Sequence, residues 1–520
     1  MSGDDSLETI LGTATRLHPD LPVEVVAGTV EGCRMGRLVD DSRRVMPGDV
    51  FVARRGTVSD GAIHIEDAIE RGAGIVIAER SFLAGPRSSP NQGPIKLACE
   101  QPLELGVALA KARRGDPGSR LAIAGVTGTN GKTTVTTLLR QVLGATVGRC
   151  GSIGTIETHD GQASTPSRVT TPGRLELVEL LGDMVDNGCR CLAMEASSHA
   201  LDQDRVVDLD FAVAVFTNLS GDHLDYHGTM RAYAEAKASM FDALAPSSLA
   251  VVNLDDPASA TMLGSCRARS VGISRADAVP RDAGVDRIVR VETLRNGAGG
   301  MRLRWTGVTA ATFEGDVPLV GDHNAFNATA ALLVAIEMGA TPIEAIEALQ
   351  GVEAPRGRLE PVHRDGDRIH VFVDYAHTDD AIRTILAAVR PFVPEGSDLV
   401  AVIGAGGDRD RTKRPRMMRA ALDGADRIVV TSDNPRTEDP DRIVAEVVAG
   451  ATDAERRQVV EEVDRRRAID RAVEEAGEGD VIVIAGKGHE DYQIIGHDRR
   501  PFDDREIARE ALVRRRGRVR

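Results

Sequence analysis

Between Leu121 and Leu143 an apolar run, Leu121 to Ala124, gives way to Gly125-Val126-Thr127-Gly128-Thr129-Asn130-Gly131-Lys132-Thr133-Thr134, and a second apolar stretch opens at Val135. That order reads as strand, glycine-rich loop, helix, which belongs at the carboxyl edge of a parallel sheet wound with helices. The glycines let the backbone N–H groups from Gly128 to Gly131 turn towards an anion, and the helix N-terminus adds positive dipole. Lys132 supplies charge, the Thr133 hydroxyl can hold a magnesium ion, and Thr134 continues the cradle. The implied ligand is a nucleoside triphosphate. The spacing departs from the common phosphate-loop pattern, because Val126 stands where the first glycine is usual and Gly125 lies one place earlier.

A chain of 520 residues has room for about three domains of ordinary size. Three α/β blocks are expected, over residues 1–116, 117–356 and 357–520. In the first, 49–53 and 74–78 read as short buried strands around a helical segment at 63–71. The hydrophilic stretch 113–118 reads as a linker. In the second, a doubly wound sheet carries the phosphate loop, with strands at 191–194, 211–216 and 249–253 and a helix over 230–244. From 269 to 320 short alternating segments suggest an antiparallel excursion, ahead of a helix near 324–338. The third block, with strands at 371–373, 399–403, 428–431 and 481–485, reads as a second, Rossmann-like sheet whose loops at the strand C-termini are ligand sites.

Composition limits the partners. Aromatic residues make up only 3%, so the cores are built of Ala, Val, Leu and Ile. A net charge of −15 argues against a general nucleic-acid or anionic-membrane surface, and the basic run Arg514 to Arg520 reads as a solvated tail. Six cysteines without a CxxC pair suit a reducing cytoplasm, and Cys189 and Cys191 lack the second pair a zinc site needs. No stretch has signal-peptide or membrane-span character, so the expected partners are small molecules and the expected state is a cytoplasmic monomer.

Glu195 ends an apolar strand, and His223 in Asp222-His223-Leu224-Asp225 follows another. If these strands share a sheet with the loop's strand, a carboxylate and an imidazole converge near the triphosphate. Glu195 is a natural oxygen ligand for Mg²⁺, while His223 is either a metal ligand or a hydrogen-bonded structural residue.

With these residues in place the chain resembles the Mur ligases, ATP-dependent amide-forming enzymes of peptidoglycan precursor assembly. The resemblance lies in ordered strings: GVTGTNGKTT at 125–134, MEASSHAL at 194–201, VFTNLSGDHLDYHG at 215–228, AYAEAK at 232–237 and GRLE at 357–360. VDYAHT at 373–378, GAGGDRDRTKRP at 404–415, DNPR at 433–436 and GKGHEDYQ at 486–493 continue it, so nearly the whole chain is covered.

The resemblance implies roles. Thr133, Glu195 and His223 would serve magnesium sites, together with Lys237, whose amine would be carbamylated by CO₂; read alone, Lys237 is a helix-surface lysine. Lys132 and Arg358, the latter in the GRLE hinge, would stabilise the transferring phosphoryl group; without the family, Arg358 reads as a linker ion pair with Glu360. Asn324 and Asn327 would lie near adenine and Asp374 near ribose, although His323 stands at a usually aromatic place and Asp379 where proline is common. Ser42, Thr57, Val58 and Ser59 would meet the uridine-diphosphate end of a UDP-muramoyl-dipeptide, and Thr170, Thr171, Ser197, Gln203 and Arg205 its muramoyl-dipeptide end. Read blandly, such Ser and Thr residues cap helices and turns.

The DNPR string resembles that of ligases adding meso-diaminopimelate. Arg436 would clamp its distal carboxylate, beside Asp433, Asn434 and Pro435, with Arg409, Gly486 and Glu490 as further contacts. The implied reaction is ATP-dependent ligation through an acyl phosphate. The alternatives are a ligase of the same kind using L-lysine, a folate-polyglutamating relative, or a nucleotide-gated scaffold that forms no bond.

Overall fold

The computed structural model describes residues 5–56, 60–83, 93–275, 284–364 and 366–518. Thr57, Val58 and Ser59 therefore lie outside the described residues. Two compact units are present, one of residues 1–129, 143–250 and 258–269, the other of 130–142, 251–257 and 270–520.

The first unit opens with strands β1 (Glu24–Ala27), β2 (Leu38–Val39), β3 (Val50–Val52), β4 (Ile75–Ala78) and β5 (Ile95–Ala98). They line up as β1-β5-β4-β3-β2, parallel except for β1 on one edge. β3 shows why these runs become central strands: Val50 and Val52 pack towards the helix Leu7–Leu17, while Phe51 enters a second core on the opposite face.

The same unit carries β6 (Ala122–Thr127), β7 (Cys150–Ile153), β8 (Glu157–His159), β9 (Ser164–Pro166), β10 (Cys191–Glu195) and β11 (Phe211–Phe216), ordered β11-β6-β10-β7-β8-β9. The first four of that order are parallel, and β8 and β9 form an antiparallel edge. β6 thus lies between the two strands that end in Glu195 and Phe216, with Glu195 opposite Val126 and Phe216 opposite Thr127.

The expected linker at 113–118 is not one. Arg113 and Arg114 complete the helix Pro102–Arg114, which Gly115 ends in the left-handed region. Arg113 pairs with Glu179 at 2.6 Å and Arg114 with Asp183 at 2.7 Å. Arg174 reaches back to Glu104 and Asp208, so helix propensity and ion pairs override the hydrophilic pattern here.

After β12 (Leu249–Asn253), the second unit holds β13 (Arg269–Ser274), β14 (Arg287–Gly297), β15 (Gly300–Thr306) and β16 (Phe313–Val317). The excursion is antiparallel only from β14 onward; β13 pairs with β14 in parallel, which alternation of side chains cannot reveal because both pairings share a period of two. Trp305, fully buried, donates its indole N–H to Thr329 at 2.8 Å and so ties β15 to the helix His323–Glu337.

The carboxyl-terminal sheet comprises β17 (Glu360–Pro361), β18 (His370–Asp374), β19 (Leu399–Ala405), β20 (Arg427–Ser432), β21 (Val459–Glu461) and β22 (Val481–Ala485), ordered β17-β18-β22-β19-β20-β21. All but β17 run parallel. Leu399, Ala401 and Ile403 fill one core and Val400 and Val402 the other, the two-sided burial of a doubly wound sheet. A hairpin of β23 (Tyr492–Ile495) and β24 (Asp498–Pro501) follows. The basic terminus is not a solvated tail over its described length: Arg514 pairs with Asp470, Arg515 donates to the carbonyl of Val473, and Arg516 pairs with Asp367. The architecture is α/β throughout, as the sequence predicts.

Candidate active site

The phosphate loop is built by close packing as much as by glycine freedom. Gly125 lies within β6, where a Cβ would meet the Phe211 ring at 2.6 Å, so this glycine serves strand packing. At Gly128, with φ +143°, a Cβ would come within 2.0 Å of the Thr217 hydroxyl. Thr129 donates its N–H to Asn218 at 2.8 Å and its hydroxyl to the Ser220 carbonyl, which fixes the loop to the segment after β11. Gly131, at φ +86°, leads into the helix Lys132–Thr146.

Lys237 contradicts its bland reading as a surface lysine. It is 1% exposed on the helix Met230–Asp242, donates from Nζ to the Gly128 carbonyl at 3.1 Å, and lies 4.2 Å from the centre of the Tyr233 ring. Tyr233 in turn contacts the Thr129 hydroxyl at 3.2 Å, and burial pushes its phenol up to about 12. The Lys237 amine therefore borders the loop's backbone from within the core.

Glu195 is 1% exposed, and its carboxylate accepts from the N–H and hydroxyl of Thr155 at 2.8 and 2.9 Å. From it a continuous network joins all five residues assigned to the muramoyl-dipeptide end. Thr170 contacts the Thr155 hydroxyl, and Thr171 donates to the Glu195 carbonyl at 2.8 Å and contacts Ser197. Ser197 caps the helix Ser198–Asp202. Arg205 donates to the Thr171 carbonyl and, through two nitrogens, to Gln203 Oε1. It has no carboxylate partner among the described residues, and burial followed by repulsion from Arg54 lowers its pKa. A half-buried cation with only neutral acceptors is suited to a substrate anion.

His223 is half-exposed, at φ +53°, with Asp222 3.5 Å from its Nε2 and the His199 ring edge-on at 4.8 Å. His199 and His227 add an imidazole cluster with Tyr226 and Tyr233 that sequence reading did not single out; burial lowers both pKa values and favours neutral rings. Among the described residues no three His, Cys, Asp or Glu side chains form a ready-made metal centre. Ser42 is buried, follows the N-cap Asp41, and hydrogen-bonds Asp67.

In the second unit, Asn324 and Asn327 turn towards each other: Asn327 donates to Asn324 Oδ1, and Asn324 donates to the Val320 carbonyl, both at 2.7 Å. Asp374 accepts the N–H groups of Leu359 and Ala376 at 2.8 and 2.7 Å, while burial raises its pKa. It thereby ties the segment 357–360 to the end of β18, and Gly357 there packs so closely that a Cβ would meet the Gly488 carbonyl carbon at 2.1 Å. Arg358 does not pair with Glu360, which is taken by Gly357 N–H, Arg505 and Arg509. Its guanidinium lies 5.1 Å from the Tyr375 ring centre, with no acid partner among the described residues. His489 nearby is kept neutral, burial and Arg358 pushing it down to about 4.

The carboxyl ends of β19, β20 and β22 converge on the DNPR loop. Arg436, at φ +50°, donates to the Gly407 carbonyl at 2.8 Å and has no acid partner among the described residues. Its backbone is hung from the hairpin, its N–H on Ile494 and its carbonyl on Gly496. Gly407 must be glycine, since a Cβ would come within 1.9 Å of the Pro435 carbonyl. Asp433 is 7% exposed, and its Oδ1 has no hydrogen bond. Asn434 donates to Glu490 at 2.8 Å, and Gly486 leaves room beside the Asp433 carboxylate. Arg409 is exposed and lines an adjoining cleft of about 500 Å³ with Asp408, Thr437 and Arg442.

Two buried cations that sequence reading missed pack against this loop and the strand before it. Arg465 pairs with Asp504 at 2.6 Å, both fully buried, and donates to the carbonyls of Ser432 and Ala485, clasping the strands on either side. Lys487, equally buried, lies within 3.3 Å of Asp433 and 2.9 Å of Asn434. Nothing in the local pattern separates such a lysine from a solvated one; only the converging strand ends do.

Three domain families match the chain in order: the Mur ligase family catalytic domain over residues 38–102, the Mur ligase middle domain over 126–335, and the Mur ligase glutamate ligase domain over 357–488. A UDP-N-acetylmuramoyl-L-alanyl-D-glutamate–2,6-diaminopimelate ligase of Gloeobacter violaceus is 44% identical over 98% of this chain and 97% of its own length. The chain belongs to the Mur ligase family. A protein of the same name from Synechococcus elongatus is 42% identical over 92% of this chain and 94% of its own. A solved structure titled as such a ligase superposes with a TM-score of 0.66 at 33% identity, over 97% of this chain and 99% of that one. This Mur ligase is an ATP-dependent enzyme that forms amide bonds and has the family's three-domain α/β architecture. No helix among the described residues is long and apolar enough to cross a membrane.

Proposed function

We propose that this Mur ligase joins meso-diaminopimelate to UDP-N-acetylmuramoyl-L-alanyl-D-glutamate, with conversion of ATP to ADP and phosphate. The observation that carries the substrate assignment is the pairing, on one loop, of an arginine fork without an acid partner, Arg436, with a buried carboxylate, Asp433, whose Oδ1 has no hydrogen bond and faces the Lys487 ammonium at 3.3 Å. A distal amine and a distal carboxylate on one amino acid complement both groups. L-Lysine offers only the amine and leaves the fork unmatched.

In the first step a substrate carboxylate oxygen attacks the γ-phosphorus of ATP, the bond to the bridging oxygen breaks, and ADP leaves an acyl phosphate behind. The loop from Gly128 to Thr134 cradles the phosphates, Lys132 and Arg358 take up the developing charge, Asn324 and Asn327 lie near adenine, and Asp374 near ribose. In the second step the amine attacks the acyl carbon, phosphate departs, and a proton is released. Ser42 and the segment Thr57 to Ser59 hold the uridine diphosphate; Thr170, Thr171, Ser197, Gln203 and Arg205 hold the muramoyl-dipeptide. Arg409, Asn434, Pro435, Gly486 and Glu490 complete the amino-acid pocket.

Mg²⁺ would be held by the Thr133 hydroxyl, the buried Glu195 carboxylate, the His223 imidazole and, once CO₂ has carbamylated it, Lys237, whose Nζ borders the loop at Gly128. A bound cation supplies neutralisation of phosphate charge. Free thiols at all six cysteines accord with a cytoplasmic enzyme, which we take to act as a monomer. The test is ADP release with the nucleotide dipeptide and, in turn, meso-diaminopimelate, its LL isomer and L-lysine. The expected result is turnover only with both substrates present and a strong preference for the meso isomer; preferred use of lysine, or ADP release without an acceptor, overturns the reading.

A further inference from the structure

Lys487 is fully buried, and its ammonium is spent inside the protein: Nζ donates to Asn434 Oδ1 at 2.9 Å and to the Tyr492 carbonyl at 2.7 Å, with Asp433 Oδ1 at 3.3 Å. Asn434 Oδ1 also accepts the N–H of Ile494 at 3.0 Å, and its Nδ2 donates to Glu490 Oε2 at 2.8 Å. These partners settle which end of the amide is which. An ammonium and a backbone N–H can only donate, and a carboxylate can only accept, so the oxygen must face Lys487 and the nitrogen Glu490. Both lone-pair positions of Oδ1 are filled, and one Nδ2 hydrogen is left.

We infer that Lys487 is a positioning residue for substrate selection: by holding the Asn434 amide in this one orientation it leaves the side chain only a donor to offer, so that Asn434 reads a carboxylate on the incoming amino acid alongside Arg436. Without the lysine only the Ile494 N–H and the Glu490 carboxylate oppose turnover of the amide, which would offer its oxygen to an ammonium of the kind a simple diamine side chain supplies. Lys487 itself, buried and saturated, does not reach the ligand. The inference rests on the diaminopimelate reading above and adds a cause for its selectivity.

The test measures kcat/KM for meso-diaminopimelate and for L-lysine, with KM for ATP as internal control, in the full-length enzyme. Lys487→Met, of similar length but without donors, is expected to lower the preference for diaminopimelate roughly 10- to 100-fold, mainly through KM of the amino acid, and to leave KM for ATP in place. Lys487→Gln, which retains a donor, recovers part of that preference. Because a buried lysine can also be needed for folding, Asn434→Asp is the second variant; it keeps the shape and the contact to Lys487 but removes the Nδ2 donors, and it is expected to lose the preference too. A double substitution with Lys487→Met should then be non-additive. Preference unchanged in Asn434→Asp, or additive effects of the two changes, overturns the inference. Wild-type enzyme that favours lysine overturns the substrate reading instead, so the two failures are distinguishable.

Discussion

The phosphate loop and the amino-acid pocket recognise their ligands by different means. Around Gly128 the partners are mostly main chain: the Thr129 N–H on Asn218, the Lys237 ammonium on the Gly128 carbonyl, and a glycine forced by the Thr217 hydroxyl. Around Asn434 they are ionised side chains out of water, namely Lys487, Asp433, Glu490 and the Arg465–Asp504 pair. Backbone recognition suits a ligand common to many enzymes, a phosphate chain, whereas buried charge rejects any ligand that leaves a partner unmatched. On the proposed function one region supplies reactivity, the other selection.

The sharpest way to break that division is Arg436→Ala. It is expected to reduce kcat/KM for diaminopimelate by roughly 10³-fold or more while KM for ATP changes little, as read by ADP release. Equal losses in both would show that Arg436 supports the fold rather than the choice of substrate. Lys132→Ala is the mirror experiment: a loss of about 10²- to 10³-fold in kcat at unchanged amino-acid preference. Loss of preference there would show the two regions to be coupled.

Next in size is Arg465→Met, which leaves Asp504 buried without its partner and should destabilise the protein by about 3–5 kcal/mol in a denaturant titration. An effect below about 1 kcal/mol would mean that water reaches the pair. A smaller and purely electrostatic contrast is available in acid. Arg414 and Arg411 hold Glu438 and Glu446 down to about 2, from an ordinary value of 4.5. Since these folded-state values are depressed, their contribution is complete above about pH 4.5 and is lost as pH falls towards 2. Thermal unfolding across that window should show a steeper decline in the wild type than in Arg414→Met, and parallel curves would remove these carboxylates from the account.

Much of this was legible in the sequence. The continuous apolar runs at β4, β19 and β22 and the strand–loop–helix order at Lys132 are local signals, and local signals survive folding. Glu195 was legible because it ends an apolar strand. What stayed hidden depends on the environment. Arg113 looks like a linker residue until Glu179 is opposite it, and Arg514 and Arg516 look solvated until Asp470 and Asp367 are. Lys237 and Lys487 are fixed as buried only by their neighbours, and the parallel pairing of β13 with β14 leaves no trace in side-chain alternation.

The attachment of Arg436 to the hairpin has a consequence for anyone altering what this enzyme accepts. The loop 433–436 does not own its shape: its left-handed backbone at Arg436 is suspended from Ile494 and Gly496, its Asp433 carbonyl from Gln493, and its Asn434 amide from Ile494 and Lys487. Transplanting four residues from a ligase with another preference would move the letters without the frame that spells them. The exchangeable part is the loop together with residues 486–496, two segments far apart in the chain that behave as one cassette.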